Sequence, residues 1–384
     1  MNAPAYTAQQ NMQARSLILA NAREMQQITN TNSNISMGVQ QNIPLRNIGL
    51  NKRIILEVTG TVAATAAETQ NLTPWGLANV LSQVIVTDLA NYNRIQTFGP
   101  HLYALASLRR QLAYGAAYVQ DAPVSMGSNL QVNNATPTIN AGTGSKTFRV
   151  FYELPLAYSD TDLRGAIYAA VVNATWQVSY TLNPSFFCAH AADPTNSVYQ
   201  SSTAQLGTLS AVQVIVQQIF LDQLPFGQNG QPILPYFDLA TGYLIQNTGF
   251  SVAPAVNIDY PIQYPNFRSI LSAFLQIDNG GLSTGGIAGT DLNKIGIQAA
   301  NLVYLVYVDA FTWGLRIRNS IGDDLPAGSY ILETRISPIN TTAYGNMQIV
   351  LNFATVNAPW SLNLGWEMFA VINSVAGASS LPAN

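Results

Sequence analysis

Metal-binding and nucleophilic side chains are scarce in this sequence. It contains two histidines, His101 and His190, and one cysteine, Cys188. Zinc sites use three or four protein ligands of this kind. Cys188 and His190 would share one face of an extended strand, but a Cys–His nucleophile also needs a third group that orients the histidine. We therefore predict no metal site, no cofactor and no catalytic centre.

Paired carboxylates and glycine-rich segments are the next candidates for chemistry. The closest acidic pairs are Asp160 with Asp162 and Asp323 with Asp324. A glycosidase places two carboxylates on either side of the bond that it cleaves, whereas acidic residues beside turns more commonly cap helices and turns. No P-loop lysine follows the glycine pairs at 280–281 and 285–286. We expect capping carboxylates, a glycine-rich loop and no enzymatic activity.

The five tryptophans could stack on sugars, but isolated tryptophans in β-segments more often lie in a core. They are Trp75, Trp176, Trp313, Trp360 and Trp366. We predict that all five are buried.

The composition indicates a surface built to contact protein. Charged residues make up 9% of the 384 residues, and hydrophobic residues make up 48%, whereas typical soluble domains have roughly 25% charged residues. Neutral amides cost less to bury at a contact than charges do. The net charge is −3, and no run of lysine or arginine occurs, so we expect no direct binding of nucleic acid.

Neither a disulfide framework nor a membrane-targeting segment is evident. A single cysteine cannot form an intramolecular disulfide. The first residues lack the basic and apolar regions of a signal peptide, and no run reaches the ~18 apolar residues of a membrane span. We expect the chain to fold in a cytoplasm.

The N-terminal region predicts a helix over residues 8–28, followed by a polar linker over 29–43. Four apolar residues follow helical spacing: Ala14, Ile18, Ala22 and Met25. Two arginines lie on other faces: Arg15 and Arg23. The helix could pack on its own domain, or it could be an arm that reaches a neighbouring subunit or an underlying surface. If it is an arm, deleting residues 1–30 should leave folded protein that assembles poorly.

After Pro44 the pattern becomes that of β-structure. Seven short segments rich in β-branched and aromatic residues are predicted strands: 52–58, 147–154, 212–220, 269–277, 302–308, 329–335 and 347–353. Glycine and proline clusters separate them, as in sandwiches and barrels. Residues 160–170 add one short helical signal. The segments 120–146 and 278–291 are predicted surface loops.

Two short matches at one offset indicate an internal duplication. The segment AGTGS (141–145) and its strand resemble AGS (327–329) and its strand, and VNATW (172–176) resembles VNAPW (356–360). The offset of about 184 residues places a second unit near residue 229, where prolines and glycines interrupt the strands. We predict domains over 1–43, 44–228 and 229–384. The predicted inter-domain connection contains Leu224, Pro225, Gly227, Gly230, Pro232 and Pro235.

Several segments resemble the major capsid proteins of tectiviruses, the phages with an internal membrane. They are PLAYSDTDL (155–163), LDQLPFGQNG (221–230), ILP (233–235), DNGG (278–281), AGTDLN (288–293) and YGN (344–346), in this order. They cover about a tenth of the chain, and the segment at 221–235 is the most specific.

The resemblance implies an all-β fold of two tandem eight-stranded jelly rolls with an N-terminal helix. It also implies a homotrimer of pseudo-hexagonal outline that tiles the icosahedral shell of a virion beside penton and minor capsid proteins, with the N-terminal helix near the membrane. The family offers no catalytic residues to carry over. The alternative from another functional class is a tandem-sandwich protein that binds carbohydrate or a receptor.

Overall fold

The computed structural model describes residues 6–33, 35–65, 67–109, 116–119, 122–125, 138–142, 145–171, 174–190, 192–250, 255–278, 291–299, 303–321, 325–335, 338–341, 347–356 and 360–371. The helices are α1 (Ala8–Asn21), α2 (Gly99–Arg109), α3 (Tyr236–Ala240) and α4 (Ala310–Ile321), with a 3₁₀ helix at Gly76–Val80.

The strands of the first half are β1 (Arg23–Ser33), β2 (Gln40–Pro44), β3 (Leu50–Ala63), β4 (Gln70–Leu72), β5 (Leu81–Thr87), β6 (Asn93–Thr97), β7 (Ala116–Val119), β8 (Ala122–Ser125), β9 (Ser145–Pro155), β10 (Ile167–Tyr168), β11 (Gln177–Leu182), β12 (Phe187–Cys188), β13 (Tyr199–Ser201) and β14 (Thr208–Asp222). Those of the second half are β15 (Thr241–Phe250), β16 (Asp259–Gln263), β17 (Ser269–Asp278), β18 (Leu292–Ala299), β19 (Val303–Val308), β20 (Ser329–Glu333), β21 (Ile339–Asn340), β22 (Gln348–Phe353) and β23 (Ser361–Val371).

The first half folds into a sandwich of two antiparallel four-stranded layers. One layer has the order β1-β14-β3-β9, which β7 and β8 extend, and the other has the order β2-β11-β5-β6. Alternation along the strands produces the core, because Val212, Val214 and Val216 of β14 are buried on one face. A small sheet of β12, β13 and β4 lies beside these layers.

The second half repeats the same strand order. Its layers are β15-β23-β17-β20 and β16-β22-β18-β19. In both halves the first strand neighbours the last, and the second strand neighbours the last but one, which is the jelly-roll connection. The prediction of two tandem eight-stranded jelly rolls is therefore confirmed, and each of the seven predicted strand segments overlaps a strand.

A parallel pair of strands joins the two sandwiches. Ile95 and Gln96 of β6 pair with Ile245 and Gln246 of β15, so that layers of both sandwiches form one nine-stranded sheet. One hydrophobic cluster of buried residues extends through both sandwiches. The chain thus has two β-sandwiches and one continuous core.

The predicted N-terminal helix is too long, and the predicted polar linker is wrong in part. Helix α1 ends at Asn21, and residues 23–33, which include Arg23 and Met25, form β1. Residues 40–44 form β2. Pairing with β14 along the whole of β1 supplies the hydrogen bonds that override the helical spacing. Deleting residues 1–30 would remove most of an integral strand, so the expectation based on a linker no longer holds.

The helical signal at 160–170 is also wrong. This segment forms bends and turns that lead into β10. Gly165 has a φ of +91°, and a Cβ there would lie 2.4 Å from the main-chain oxygen of Leu156. A right-handed helix cannot pass through this position.

The two matches that suggested duplication differ in their outcome. Residue 145 begins β9 and residue 329 begins β20, and these strands occupy the same place in their layers. Trp176 precedes β11, the last strand but one of its sandwich, whereas Trp360 precedes β23, the last strand of the other. The VNAxW match therefore joins strands that are not equivalent.

Candidate functional site: the sandwich joint and the N-terminal helix

A buried carboxylate crosses the joint between the sandwiches. Glu367 on β23 is fully buried, and its Oε1 accepts hydrogen bonds from the Arg109 guanidinium at 2.8 Å and the Tyr243 hydroxyl at 2.5 Å. Its Oε2 accepts from the Ser272 hydroxyl at 2.7 Å and from Arg335 at 2.9 Å. Arg109 is on α2 of the first sandwich, and the other four residues belong to the second. Both halves of the chain therefore complete this network.

The opposite charges of this network keep Glu367 and Arg109 ionised. Burial raises the pKa of Glu367, but Arg109, Arg335 and the Ser272 hydroxyl outweigh burial and hold that pKa below its ordinary value. Burial lowers the pKa of Arg109, and Glu367 opposes this change. The carboxylate is therefore ionised at neutral pH, and loss of either partner would leave an uncompensated charge in the core.

His101 lies in the same joint as a packing residue. Its ring stacks on Phe274 of the second sandwich, with centroids 5.6 Å apart and planes at 7°. Nδ1 is 2.7 Å from the Thr97 hydroxyl, and Nε2 is buried without a hydrogen-bond partner among the described residues. Burial lowers the pKa of His101 to about 3, so the ring is neutral. Gly365 makes room for it, since a Cβ there would lie 2.4 Å from Nδ1.

Trp75 completes the joint. Its indole N–H donates to the Ser329 hydroxyl of the second sandwich at 3.2 Å, and its ring meets Phe274 edge to face at 5.7 Å. Sequence reasoning missed this joint, because its members are separated by up to 258 residues and only their burial sets them apart.

The N-terminal helix packs on its own chain. Thr7 and Gln10 form a capping box that starts α1. Asn11 donates to the Asp238 carboxylate at 2.9 Å and accepts from the main-chain N–H of Phe237 at 2.9 Å. Tyr6 donates to the main-chain oxygen of Leu234 at 3.2 Å. The helix therefore packs against the segment 234–238 of its own chain.

The predicted arm residues divide between two elements. Arg15 on α1 lies 3.4 Å from Asp238 and 3.8 Å from Asp162. Ile18 is fully buried in a small apolar cluster beneath the helix. Arg23 and Met25 lie instead on β1, where Arg23 is exposed and Met25 is half-buried.

The predicted inter-domain connection lies under this helix. Leu224 and Pro235 are buried, and Pro225 accepts from the N–H of Ile233 at 2.8 Å. Between them the chain forms a tight loop: Gly227 donates to Gln231 at 2.8 Å, Gly230 with a φ of +73° donates to Gly227 at 3.0 Å, and Phe226 pairs with Pro232. A groove of about 720 Å³ separates this loop from α1.

Three apolar side chains on α1 are partly exposed to solvent. Met12, Leu17 and Leu19 are 53%, 40% and 37% exposed. Among the described residues, no helix has both the length and the apolar character to cross a bilayer. The helix therefore presents a few apolar side chains to solvent.

Three of the residues considered as candidates for chemistry have structural surroundings. Cys188 is buried, and burial raises the pKa of its thiol. Asp162 caps a turn, accepting from the Arg164 N–H at 3.1 Å, while Asp160 pairs with Lys52 at 2.9 Å. In the part of the chain that the structure describes, no group of three or more potential ligands could hold a metal ion. Asp323, Asp324 and the glycine pairs at 280–281 and 285–286 lie outside the described residues, as does most of the predicted loops.

All five tryptophans are buried, as predicted, with exposures of 2–6%. They therefore provide no aromatic platform for sugars, and the carbohydrate-binding alternative loses its main support.

Two sequence families match consecutive parts of the chain. Residues 5–224 match the family described as P3 major capsid protein N-terminal, and residues 240–382 match P3 major capsid protein C-terminal. The chain belongs to the P3 major capsid protein family. It is also 34% identical over 377 residues to the major capsid protein P3 of Enterobacteria phage PRD1, with 97% of this chain and 93% of the relative covered.

Solved structures agree on the fold. The crystal structure titled STIV MCP has a TM-score of 0.63 at 11% identity, covering 91% of this chain and 97% of its own. A chain in the atomic structure of Sulfolobus turreted icosahedral virus has a TM-score of 0.62 at 12% identity, covering 94% of each. The PBCV-1 virus capsid has a TM-score of 0.52 at 14% identity, covering 91% of this chain and 94% of its own.

The P3 family assignment identifies the role of the chain. The chain is a major capsid protein of the tectivirus type, and it forms the capsid shell of the virion with other capsid proteins. The double sandwich is its building unit.

Proposed function

We propose that three copies of this chain form a pseudo-hexagonal trimer, and that such trimers tile the shell of a virus with an internal membrane. The observation that carries this proposal is the joint: two sandwiches of the same strand order are held side by side by one sheet and one buried carboxylate. A two-lobed unit repeated around a threefold axis has a six-sided outline, which fills a surface without gaps.

We further propose that the first sandwich begins at β1 and the second at β15, with residues 223–240 as the connection. The separate family matches to 5–224 and 240–382 support this division. Leu224, Pro225, Gly227, Gly230, Pro232 and Pro235 would then fix the angle at which the second sandwich starts.

The proposed partners are neighbouring trimers, penton and minor capsid proteins, and the viral membrane beneath α1. The exposed Met12, Leu17 and Leu19 suit contact with a lipid surface or a second protein. No direct contact with the genome is proposed, because the chain has no basic run. We also propose that the chain has no enzymatic activity, in keeping with its structural relatives.

The mass of the purified protein tests the trimer. Light scattering after gel filtration should give a mass near three times the 41.4 kDa of one chain, with one cooperative thermal transition. A folded monomer at all concentrations would contradict the proposal.

The variant M12E/L19E tests the role of the helix surface. We expect folded trimers that no longer assemble into particles on the membrane, because the changed side chains are exposed. Particle yield after expression with the other virion proteins is the measurement. Normal particles from this variant would exclude the exposed face of α1 from assembly.

A further inference from the structure

We propose that a cavity between α4 and the second sandwich binds a single-chain zwitterionic amphiphile, a molecule with one apolar chain and a head that carries both a positive and a negative charge. The apolar chain would fill the cavity, and the head would pair with Arg316 and Glu333 at its rim. The site lies within one chain, so it does not depend on the proposed trimer.

The cavity lies where α4 packs against β18, β20 and the end of α2. Its volume is about 360 Å³, within the range of roughly 300–1,000 Å³ that is usual for small-molecule sites. Six apolar side chains line it: Leu108, Ile297, Val306, Trp313, Ile317 and Ile331. Water finds few hydrogen-bond partners against such a wall, so an apolar chain is the favoured occupant.

The apolar wall is formed before any ligand binds. Trp313 is buried, and its indole N–H donates to the main-chain oxygen of Ile295 on β18 at 2.9 Å, which holds the ring against the sheet. Ile317 is also buried and lies one turn further along the same face of α4. A ligand that meets a formed wall does not have to order these side chains, which reduces the entropic cost of binding.

The rim of the cavity carries two opposite charges. Arg316 and Glu333 both line the cavity and are both exposed, and neither forms an ion pair within the described part of the chain. The guanidinium carbon of Arg316 lies 5.2 Å from the centroid of the Trp313 ring, so this charge is held against the wall of the cavity. Three neutral hydrogen-bonding residues complete the rim: Asn319, Ser320 and Thr334.

These charges select the head of the ligand. A negative group would be attracted by Arg316 and repelled by Glu333, and a positive group would be repelled by Arg316 and attracted by Glu333. A head with both charges provides a partner for each residue, whereas an anionic, cationic or uncharged head leaves at least one of them unpaired. A zwitterionic head is therefore complementary to the rim, as an apolar chain is to the wall.

A bound ligand would contact both sandwiches. Leu108 belongs to α2 of the first sandwich, and the other wall residues belong to the second. Leu108 and Thr334 directly precede Arg109 and Arg335, which bind Glu367. Binding to the native chain should therefore stabilise the joint, with an increase in Tm of roughly 3 °C at a hundredfold excess over Kd.

Four amphiphiles with the same decyl chain test the head group on the full-length protein. They are decylphosphocholine (zwitterionic), decyl sulfate (anionic), decyltrimethylammonium (cationic) and decyl maltoside (uncharged). Below the concentrations at which they form micelles, calorimetric titration should show one decylphosphocholine bound per chain, more tightly than the other three. Absence of saturable decylphosphocholine binding, or equal binding of all four compounds, would overturn the proposal.

Variants at the rim distinguish a site that recognises the head from a merely apolar one. Arg316→Gln should weaken decylphosphocholine binding by up to about fivefold and shift the preference towards the cationic compound, whereas Glu333→Gln should weaken it similarly and shift the preference towards the anionic one. The matched control Arg318→Gln removes a charge from α4 outside the cavity and should bind as the wild type does. Unchanged preferences in the two rim variants would show that the head does not bind there.

A cavity-filling variant tests the place of the apolar chain. Ser320 is half-buried and lines the cavity, so Ser320→Phe should occupy it and abolish both decylphosphocholine binding and the increase in Tm. Its circular dichroism spectrum should match that of the wild type. Binding at wild-type strength by folded Ser320→Phe would overturn the site, and the two rim variants decide the question if Ser320→Phe does not fold.

Discussion

The buried carboxylate at the joint leads to the most quantitative prediction. In Glu367→Gln, the side chain keeps its shape but loses the charge that compensates Arg109 at 2.8 Å and Arg335 at 2.9 Å. Removing one partner of a buried ion pair costs about 3–5 kcal/mol. For a cooperative unit of this size, that corresponds to a decrease in Tm of roughly 5 °C. Guanidinium unfolding at fixed protein concentration, followed by tryptophan fluorescence, measures the loss.

A mostly exposed carboxylate provides the matched control. Asp160→Asn removes the same charge from a side chain that is 61% exposed, and its partner Lys52 keeps the carboxylate of Glu24. Exposed pairs contribute up to about 1 kcal/mol, so this variant should unfold close to the wild type. If Glu367→Gln loses no more stability than Asp160→Asn, the view of the joint as a charge network that holds the sandwiches together is refuted.

Three further predictions concern pH, packing and the N-terminus. The pKa of His101 is about 3 in the folded chain and ordinarily 6.5, so about 5 kcal/mol of stability that is present above pH 6.5 should be lost as the pH falls towards 3. In a pH series of denaturant titrations, His101→Phe should remove this dependence. An unchanged pH profile would contradict the view that His101 is buried in its neutral form. Gly365→Ala should lower the free energy of unfolding by about 2 kcal/mol in such titrations, because the new Cβ would meet the His101 ring. The double variant H101A/G365A should lose less stability than the sum of its two single variants. Additive losses would contradict a clash between the two side chains. Deletion of residues 1–22 should leave both sandwiches folded by circular dichroism, whereas deletion of 1–33 should abolish folding by removing β1; a folded 1–33 deletion would show β1 to be dispensable.

The sequence predicted the strands whose side chains are buried in a regular pattern, either alternately or nearly throughout. Strand β14 alternates buried valines with half-buried residues, and β17 is buried nearly throughout, so their patterns are those of strands. Strand β1 gives no such signal, because it lies at an edge with most side chains exposed and is rich in Gln, Asn and Thr. Its structure depends on pairing with β14, nearly 200 residues away, which local spacing cannot reveal.

The joint could be predicted only in part. The predicted proline-rich connection lies between the strands of the two sandwiches. The sequence pattern did not indicate the network around Glu367, because a single glutamate in a strand carries no local sign of burial. His101 was judged by what it could ligate, whereas its role follows from Phe274 and Gly365, which only the fold brings against it.

The parallel pairing of β6 with β15 and the shared hydrophobic cluster join the two sandwiches into one unit. Bending the chain between them would break main-chain hydrogen bonds within a continuous sheet and would open the layer that seals Glu367 from water. Such bending would also separate Arg109 from Glu367, which lie on opposite sides of this boundary. We therefore expect the curvature of the capsid shell to come from the angles between molecules and not from bending within one molecule.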